Sequence, residues 1–294
     1  MAQGIGAPTN PLATFASTLI ALMRTSRPLG WIAALALFRI GMASCSAEDT
    51  FATIGLSLAI TFPFCLYLFG LNDIADKDSD ASNPRKGSWL HGASAPIHNP
   101  TASRWAPWIG GATVASFIPL IPCSAGSVLS GILLVSWGYS CKPFRLKEVP
   151  IIDGLATAFI MIGILCVGFL TSATPVAIPI ETFAVAPTLA GLHIFASVVD
   201  VESDRKANHR TLAVRAGPRT ASVVALALSI VSAASIPFLA HADAIALYLV
   251  IQPCVIATWT LFHRWFSPRY ALYVLGTSGL VTLAYMALTS ARDW

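Results

Sequence analysis

Asn72-Asp73-Ile74-Ala75-Asp76-Lys77-Asp78-Ser79-Asp80 follows directly on an apolar run, residues 51–71. That run has the length of a membrane span, and carboxylates crowded at its edge are costly unless cations or partners neutralise them. Asp200 and Asp204 stand at the end of a second apolar run, residues 178–199. Two acidic clusters, each ending a span, point to a divalent-metal site for a phosphorylated substrate.

The rest of the chain has the composition that such a reading requires. Of 294 residues, 55% are hydrophobic and only 11% charged, with a mean hydropathy of +0.70. A soluble domain carries about a quarter charged residues, so this chain cannot cover itself with a hydrated surface. It is expected to be an all-α integral membrane protein, a single domain over residues 1–294. The net charge of +4 is modest, and no nucleic-acid partner is expected. Six cysteines are scattered singly, without CxxC or zinc-type spacing, and are read as reduced, buried small hydrophobes. No N-terminal signal peptide is evident, because the first clear apolar run follows Arg24 and Arg27 without a small-residue cleavage site.

Apolar runs of span length number nine: residues 28–44, 51–71, 105–121, 125–140, 151–171, 178–199, 221–239, 244–262 and 270–288. With nine spans, sixteen of the eighteen Lys and Arg fall on the side that holds the N-terminus. The positive-inside rule makes that side cytoplasmic. The expected architecture is therefore a multi-pass bundle of about nine helices around a central cavity. It has an N-terminal tail (residues 1–25) and cytoplasmic active-site loops at 72–104, 140–150 and 200–219. Arg24 and Arg27 are read as membrane anchors, and Arg39 inside the first span needs a partner.

If the helix of the second span continues, Asp73, Asp76 and Asp80 share one arc at i, i+3 and i+7. Asp200 and Asp204, at i and i+4, share another. These five carboxylates form the expected metal set, and Mg²⁺ suits oxygen ligands completed by substrate phosphates. Lys142 and Arg145, with Lys147 given less weight, lie in a third segment on that face and are suited to neutralise a diphosphate. Asn72, Arg85 and Arg205 join Lys142 and Arg145 as candidate substrate-binding residues. Asp73, Asp76, Lys142 and Tyr139 are the candidate catalytic set. His193 precedes Asp200 on its span, where it could face the cavity as a proton acceptor.

These motifs resemble the UbiA superfamily of intramembrane prenyltransferases, whose members carry NDxxDxxxD after the second helix and DxxxD after the sixth. Asn72, Asp73, Asp76 and Asp80 match the first, and Asp200 and Asp204 the second. Ser26-Arg27-Pro28 with Trp31, Tyr139-Ser140 with Arg145-Leu146-Lys147, and Thr211-Leu212-Ala213-Val214-Arg215 agree as well. The resemblance implies nine helices with a cytoplasmic cap. It also implies that Mg²⁺ on the two motifs binds a prenyl diphosphate whose chain lies in a tunnel open towards the bilayer. Loss of diphosphate leaves an allylic cation, which needs a dry, aromatic pocket; Phe64, Tyr67, Phe69, Trp137, Tyr139 and Phe195 are nearby in sequence terms.

Asn83-Pro84-Arg85-Lys86-Gly87 resembles the branch that adds isoprenoid units to carotenoid ends. The expected activity is transfer of the prenyl cation to a lipophilic acceptor, either isoprenoid or aromatic. The alternative is a terpene cyclase of the same superfamily, in which a distant double bond of the same chain attacks the cation.

Overall fold

A computed structural model describes residues 11–76, 100–172, 178–206, 208–239 and 243–290. Among these residues every regular element is helical, and six helices are long and apolar enough to cross a membrane. Those six are Phe51–Ala75, Ile152–Leu170, Thr182–Val199, Pro218–Phe238, Ala244–Phe262 and Pro268–Thr289. The other expected runs also fall on helices: α2 (Pro28–Ala43), α5 (Pro100–Ala115) and α6 (Cys123–Ser140). Residues 11–25, expected as part of a tail, form helix α1 (Pro11–Thr25).

Proline and its neighbours set the breaks. Pro28 opens α2, and Arg27 before it is forced out of the helical region to φ 51°, so α1 and α2 meet at a corner. The Trp31 indole reinforces that corner by donating to the Ser26 carbonyl and hydroxyl, both at 3.1 Å. The second span is two helices, α3 (Phe51–Ala59) and α4 (Phe62–Ala75), with Pro63 in the first turn of α4. The continuous helix expected through Asp80 is not formed, because α4 ends at Ala75 and Asp76 is its C-terminal cap at φ −107°. Asp80 and Arg85 lie outside the described residues.

The remaining elements are α7 (Ile152–Leu170), α8 (Ala186–Val199), α9 (Val201–Lys206), α10 (Leu212–Ala216), α11 (Pro218–Ala233), α12 (Asp243–Phe262) and α13 (Pro268–Ser290). Helices pack in chain order, α4 on α5, α6 on α7, α7 on α8, α8 on α11, α11 on α12 and α12 on α13. The last helix returns to α2, and this closes the ring. In a bilayer lipid tails are as apolar as Leu, so close backbone packing and buried hydrogen bonds must hold helices together. Gly41 on α2 and Gly168 on α7 supply the closest crossing. A methyl group on either would strike the other helix's backbone, at the carbonyl of Leu165 or of Phe38. Thr188 N–H donates to Ser232 Oγ at 2.9 Å between α8 and α11, and Gln252 Nε2 to Ser278 Oγ at 3.1 Å between α12 and α13.

Two apolar cores result. One gathers Phe38, Leu56, Phe64, Leu129 and Ile164; the other gathers Phe195, Ala213, Ile256, Trp259 and Leu275. Outward faces stay apolar: only 6% of the most hydropathic window of α13 is buried, the pattern of a helix facing lipid. Arg39 finds its partner in Asp49 in the short connection after α2, through a bidentate pair. All six cysteines are free; Cys65 and Cys166 are buried as expected, whereas Cys123 and Cys254 are exposed.

Candidate active site

The acidic motifs come one from each half of the bundle. Asn72, Asp73 and Asp76 end α4 in the first half, while Asp200 caps α8 and Asp204 lies one turn later in α9. The Asp204 N–H donates to the Asp200 carbonyl at 2.8 Å, so the two acids keep the expected i, i+4 relation. Two carboxylates span the seam through one imidazole. His209 Nε2 lies 3.7 Å from Asp76 Oδ1, and His209 Nδ1 lies 3.7 Å from Asp204 Oδ1. The hydrogen-bonding Asp204 carboxylate holds His209 above its ordinary pKa, against the opposing effect of burial. An imidazolium there offsets the negative charge on both sides.

Four cationic side chains converge on the first motif. Lys147 Nζ stands 2.5 Å from Asp76 Oδ1 and donates to Asn72 Oδ1 at 3.1 Å. Arg145 Nη2 reaches Asp76 at 3.5 Å and Glu148 at 2.6 Å. Arg27, expected as a membrane anchor, lies 3.6 Å from Asp73 Oδ1 and 4.3 Å above the Phe69 ring. The corner before Pro28 is what turns it inward. His209 completes the set.

The third segment thus divides its labour differently from the sequence expectation. Lys147, given the least weight of its basic residues, is buried on the carboxylates, whereas Lys142 is exposed. The left-handed backbone of Arg145, at φ 42°, precedes a short 3-10 turn, Leu146–Glu148, that carries Lys147 back toward α4. Lys142 lines an outer cleft of about 460 Å³ with Phe144, Arg145, Glu148, Arg210 and Arg215. Arg145 therefore belongs to both the cleft and the acidic site. Arg205 is exposed, and among the described residues no ion pair brings it to the carboxylates.

Beneath this layer, Tyr139 Oη lies 2.9 Å from His193 Nε2, with the two rings edge to face. Ser140, the next residue, sits 3.5 Å from Asn72 Oδ1. Of the other aromatics, Phe64 and Phe195 are spent on the two cores, and Tyr67 donates to the Leu133 carbonyl at 3.0 Å. Asp153, at the start of α7, is a buried acid that sequence reasoning passed over; its Oδ1 accepts from the Gly154 N–H at 2.6 Å. Its only signal in the sequence is an acid at the first turn of an apolar run. His209 was missed too, since nothing in the run after Asp204 marks it apart from its charge.

The family model described as the UbiA prenyltransferase family matches residues 14–273. This chain belongs to that family. Among curated proteins, this UbiA chain is 31% identical over 223 residues to the C(50) beta-cyclic carotenoids biosynthesis protein LbtBC of Dietzia sp. (strain CQ4). That match covers 71% of this chain and 49% of the relative, so the UbiA chain spans about half of that protein's length. It is 28% identical to a lycopene elongase/hydratase of Corynebacterium glutamicum, covering 74% of this chain and 77% of the relative. Its fold is that of a UbiA homolog from Archaeoglobus fulgidus bound to DMAPP and Mg²⁺, with a TM-score of 0.71 and 20% identity. That likeness covers 93% of this chain and 100% of the other.

The donor chemistry suits the hard cation that the family implies. Asp73, Asp76, Asp200, Asp204 and Asn72 offer oxygen atoms, the ligand type Mg²⁺ takes. Among the described residues no three His, Cys, Asp or Glu side chains converge as metal ligands. Asp73, Asp76 and Asp204 each face a basic side chain instead.

Proposed function

We propose that this chain is an Mg²⁺-dependent intramembrane prenyltransferase that joins a short prenyl diphosphate to the end of a linear carotenoid. The observation that carries this reading is the seam itself: two oxygen-rich motifs, one per half, facing each other across His209 beside a basic cleft. The names of the similar proteins, a C(50) carotenoid protein and lycopene elongase/hydratases, favour a carotenoid acceptor over cyclisation of the donor. A fifty-carbon carotenoid is two five-carbon units longer than lycopene, which favours a five-carbon donor.

In this reading Asp73, Asp76, Asp200 and Asp204, with Asn72 and Asp80, hold the metal. A Mg²⁺ held there would supply charge stabilisation to a diphosphate leaving group. Lys147 and Arg145 exchange a carboxylate for a diphosphate oxygen when substrate enters. Lys142, Arg85 and Arg205, with Arg210 and Arg215 of the cleft, add positive charge along the path by which diphosphate leaves. Apolar helix faces exclude water, which would quench the cation. The concentration of basic residues at this end of the bundle makes it the cytoplasmic face under the positive-inside rule, with nine spans and the C-terminus opposite.

The test is direct. Purified protein in detergent receives Mg²⁺, DMAPP and lycopene, and the products are resolved by mass spectrometry. Products five and ten carbons larger than lycopene, absent with Asp76→Asn, are expected. A cyclic or linear terpene formed equally well without lycopene would overturn the reading.

A further inference from the structure

Addition of an allylic cation to an alkene acceptor leaves a second cation on the acceptor. The reaction ends only when one proton is given up. It leaves either from a carbon beside the cation, forming a double bond, or from a captured water, forming an alcohol. Carboxylates that hold a metal are poor candidates for that proton, since their oxygens are engaged and they sit at the diphosphate end.

The Tyr139–His193 pair stands in the right place. His193 precedes Asp200 by seven residues, which is two helical turns or roughly 10 Å along α8, on the same face. Tyr139 directly precedes Ser140, which touches Asn72. The pair therefore lies one layer below the diphosphate end, where the carbon chain would run. Both residues keep part of their surface accessible although α7 packs against both α6 and α8. The charges of Asp153 and then Asp76 act on Tyr139, and that of Asp204 acts on His193. A hydroxyl and an imidazole at 2.9 Å inside an apolar bundle, beside the buried Asp153 carboxylate and the Thr157 hydroxyl, are expensive to keep unless they act.

Resting on the prenyl-transfer reading above, we propose that Tyr139 and His193 form the proton relay that ends the reaction. With Nδ1 carrying the imidazole proton, Nε2 accepts from the Tyr139 hydroxyl. In the final step the carbon–hydrogen bond beside the cation breaks and its electron pair becomes the new double bond. The proton passes to Tyr139 Oη as the tyrosine's own proton passes to His193 Nε2. No oxidant or further reactant is needed; the imidazolium hands its proton to the released diphosphate or to water. Tyr139 meets the substrate, and His193 acts through it.

The experiment compares wild type, Tyr139→Phe and His193→Ala with Mg²⁺, DMAPP and lycopene. It measures diphosphate released and coupled product formed, using lycopene deuterated at the terminal methyls and at the alkene CH of the same end group, the positions that flank the cation. Coupled product formed per diphosphate released is expected to fall about 10²-fold in both variants. The freed five-carbon alcohol should rise in step, and deuterium should shift the product ratio more in Tyr139→Phe than in wild type. Unchanged coupling in both variants would overturn the relay. So would an equal fall in release and coupling, because that marks a packing role. Absence of coupled product from the wild type itself would instead overturn the prenyl-transfer reading.

Discussion

Lys147 Nζ stands 2.5 Å from Asp76 Oδ1, and each side chain is only 8% exposed. A buried pair of this kind says little about net stability, but removing one partner leaves the other charge stranded. Lys147→Met should destabilise the folded protein by about 3–5 kcal/mol if Asp76 stays ionised. Lys142→Ala, on the exposed rim of the cleft, should change stability by less than about 0.5 kcal/mol. Thermal unfolding of both variants in the same detergent gives the comparison. Equal losses would place the key lysine wrongly.

Metal binding should appear as stabilisation without any substrate. The carboxylates are neutralised by Arg27, Lys147, Arg145 and His209, so a cation that replaces these partners adds its own binding energy. At a hundredfold excess over its Kd, Mg²⁺ should stabilise the protein by about 2.7 kcal/mol. Asp204→Asn should abolish most of that gain, and a Tm that ignores Mg²⁺ in the wild type would remove the metal assignment.

Turnover gives a separate check on the same residues. Asp76→Asn and Asp204→Asn should each lower diphosphate release about 10²-fold or more, since each removes charge stabilisation where the bond breaks. Single-turnover assays on protein that elutes as a folded monodisperse species measure this.

The crossing of α2 and α7 offers a test of the fold alone. Gly168→Ala drives a methyl group into the Phe38 carbonyl and the adjoining backbone of α2. Overpacking of a well-filled contact costs about 1–3 kcal/mol, and backbone cannot step aside as a side chain can. Gly276→Ala has open space around it and should leave Tm unchanged. Matched melting curves would expose an error if the two variants behaved alike.

The Arg39–Asp49 pair is a surface pair with a pH signature. The hydrogen bond from Arg39 holds Asp49 below the usual carboxylate range. A folded-state pKa that is depressed contributes stability above the unfolded value, near 3.9, and that contribution is lost as pH falls through the lower folded value. Both side chains are about half exposed, at 41% and 52%, so the pair should contribute less than about 1 kcal/mol. Asp49→Asn should be slightly less stable than wild type at pH 7, with the difference closing below about pH 4. A gap that widened in acid would contradict the assigned partner.

Some of the site was legible because it is local. Asp73 and Asp76, or Asp200 and Asp204, sit within one turn of each other, so their shared face follows from helical repeat alone. Membrane class followed from composition, and every expected apolar run lies on a helix, six of them long enough to span. The break at Pro63 was legible in principle from its residue type. Its consequence was not, because a membrane helix can tolerate proline when neighbours satisfy the freed backbone.

What the sequence by itself determined is therefore the inventory: apolar helices, two acidic motifs and a basic face, each encoded within a few residues of chain. Only the tertiary structure decided which cation meets which acid. Arg27 and Lys147 were chosen over Lys142 by a left-handed corner at one end and a tight 3-10 turn at the other. His209 became the bridge because two halves with separate cores close against each other there, and Tyr139 met His193 because α6 and α8 flank α7. Such pairings join residues from 46 positions apart (Arg27 and Asp73) to 133 (Asp76 and His209), and local periodicity carries no information on that scale.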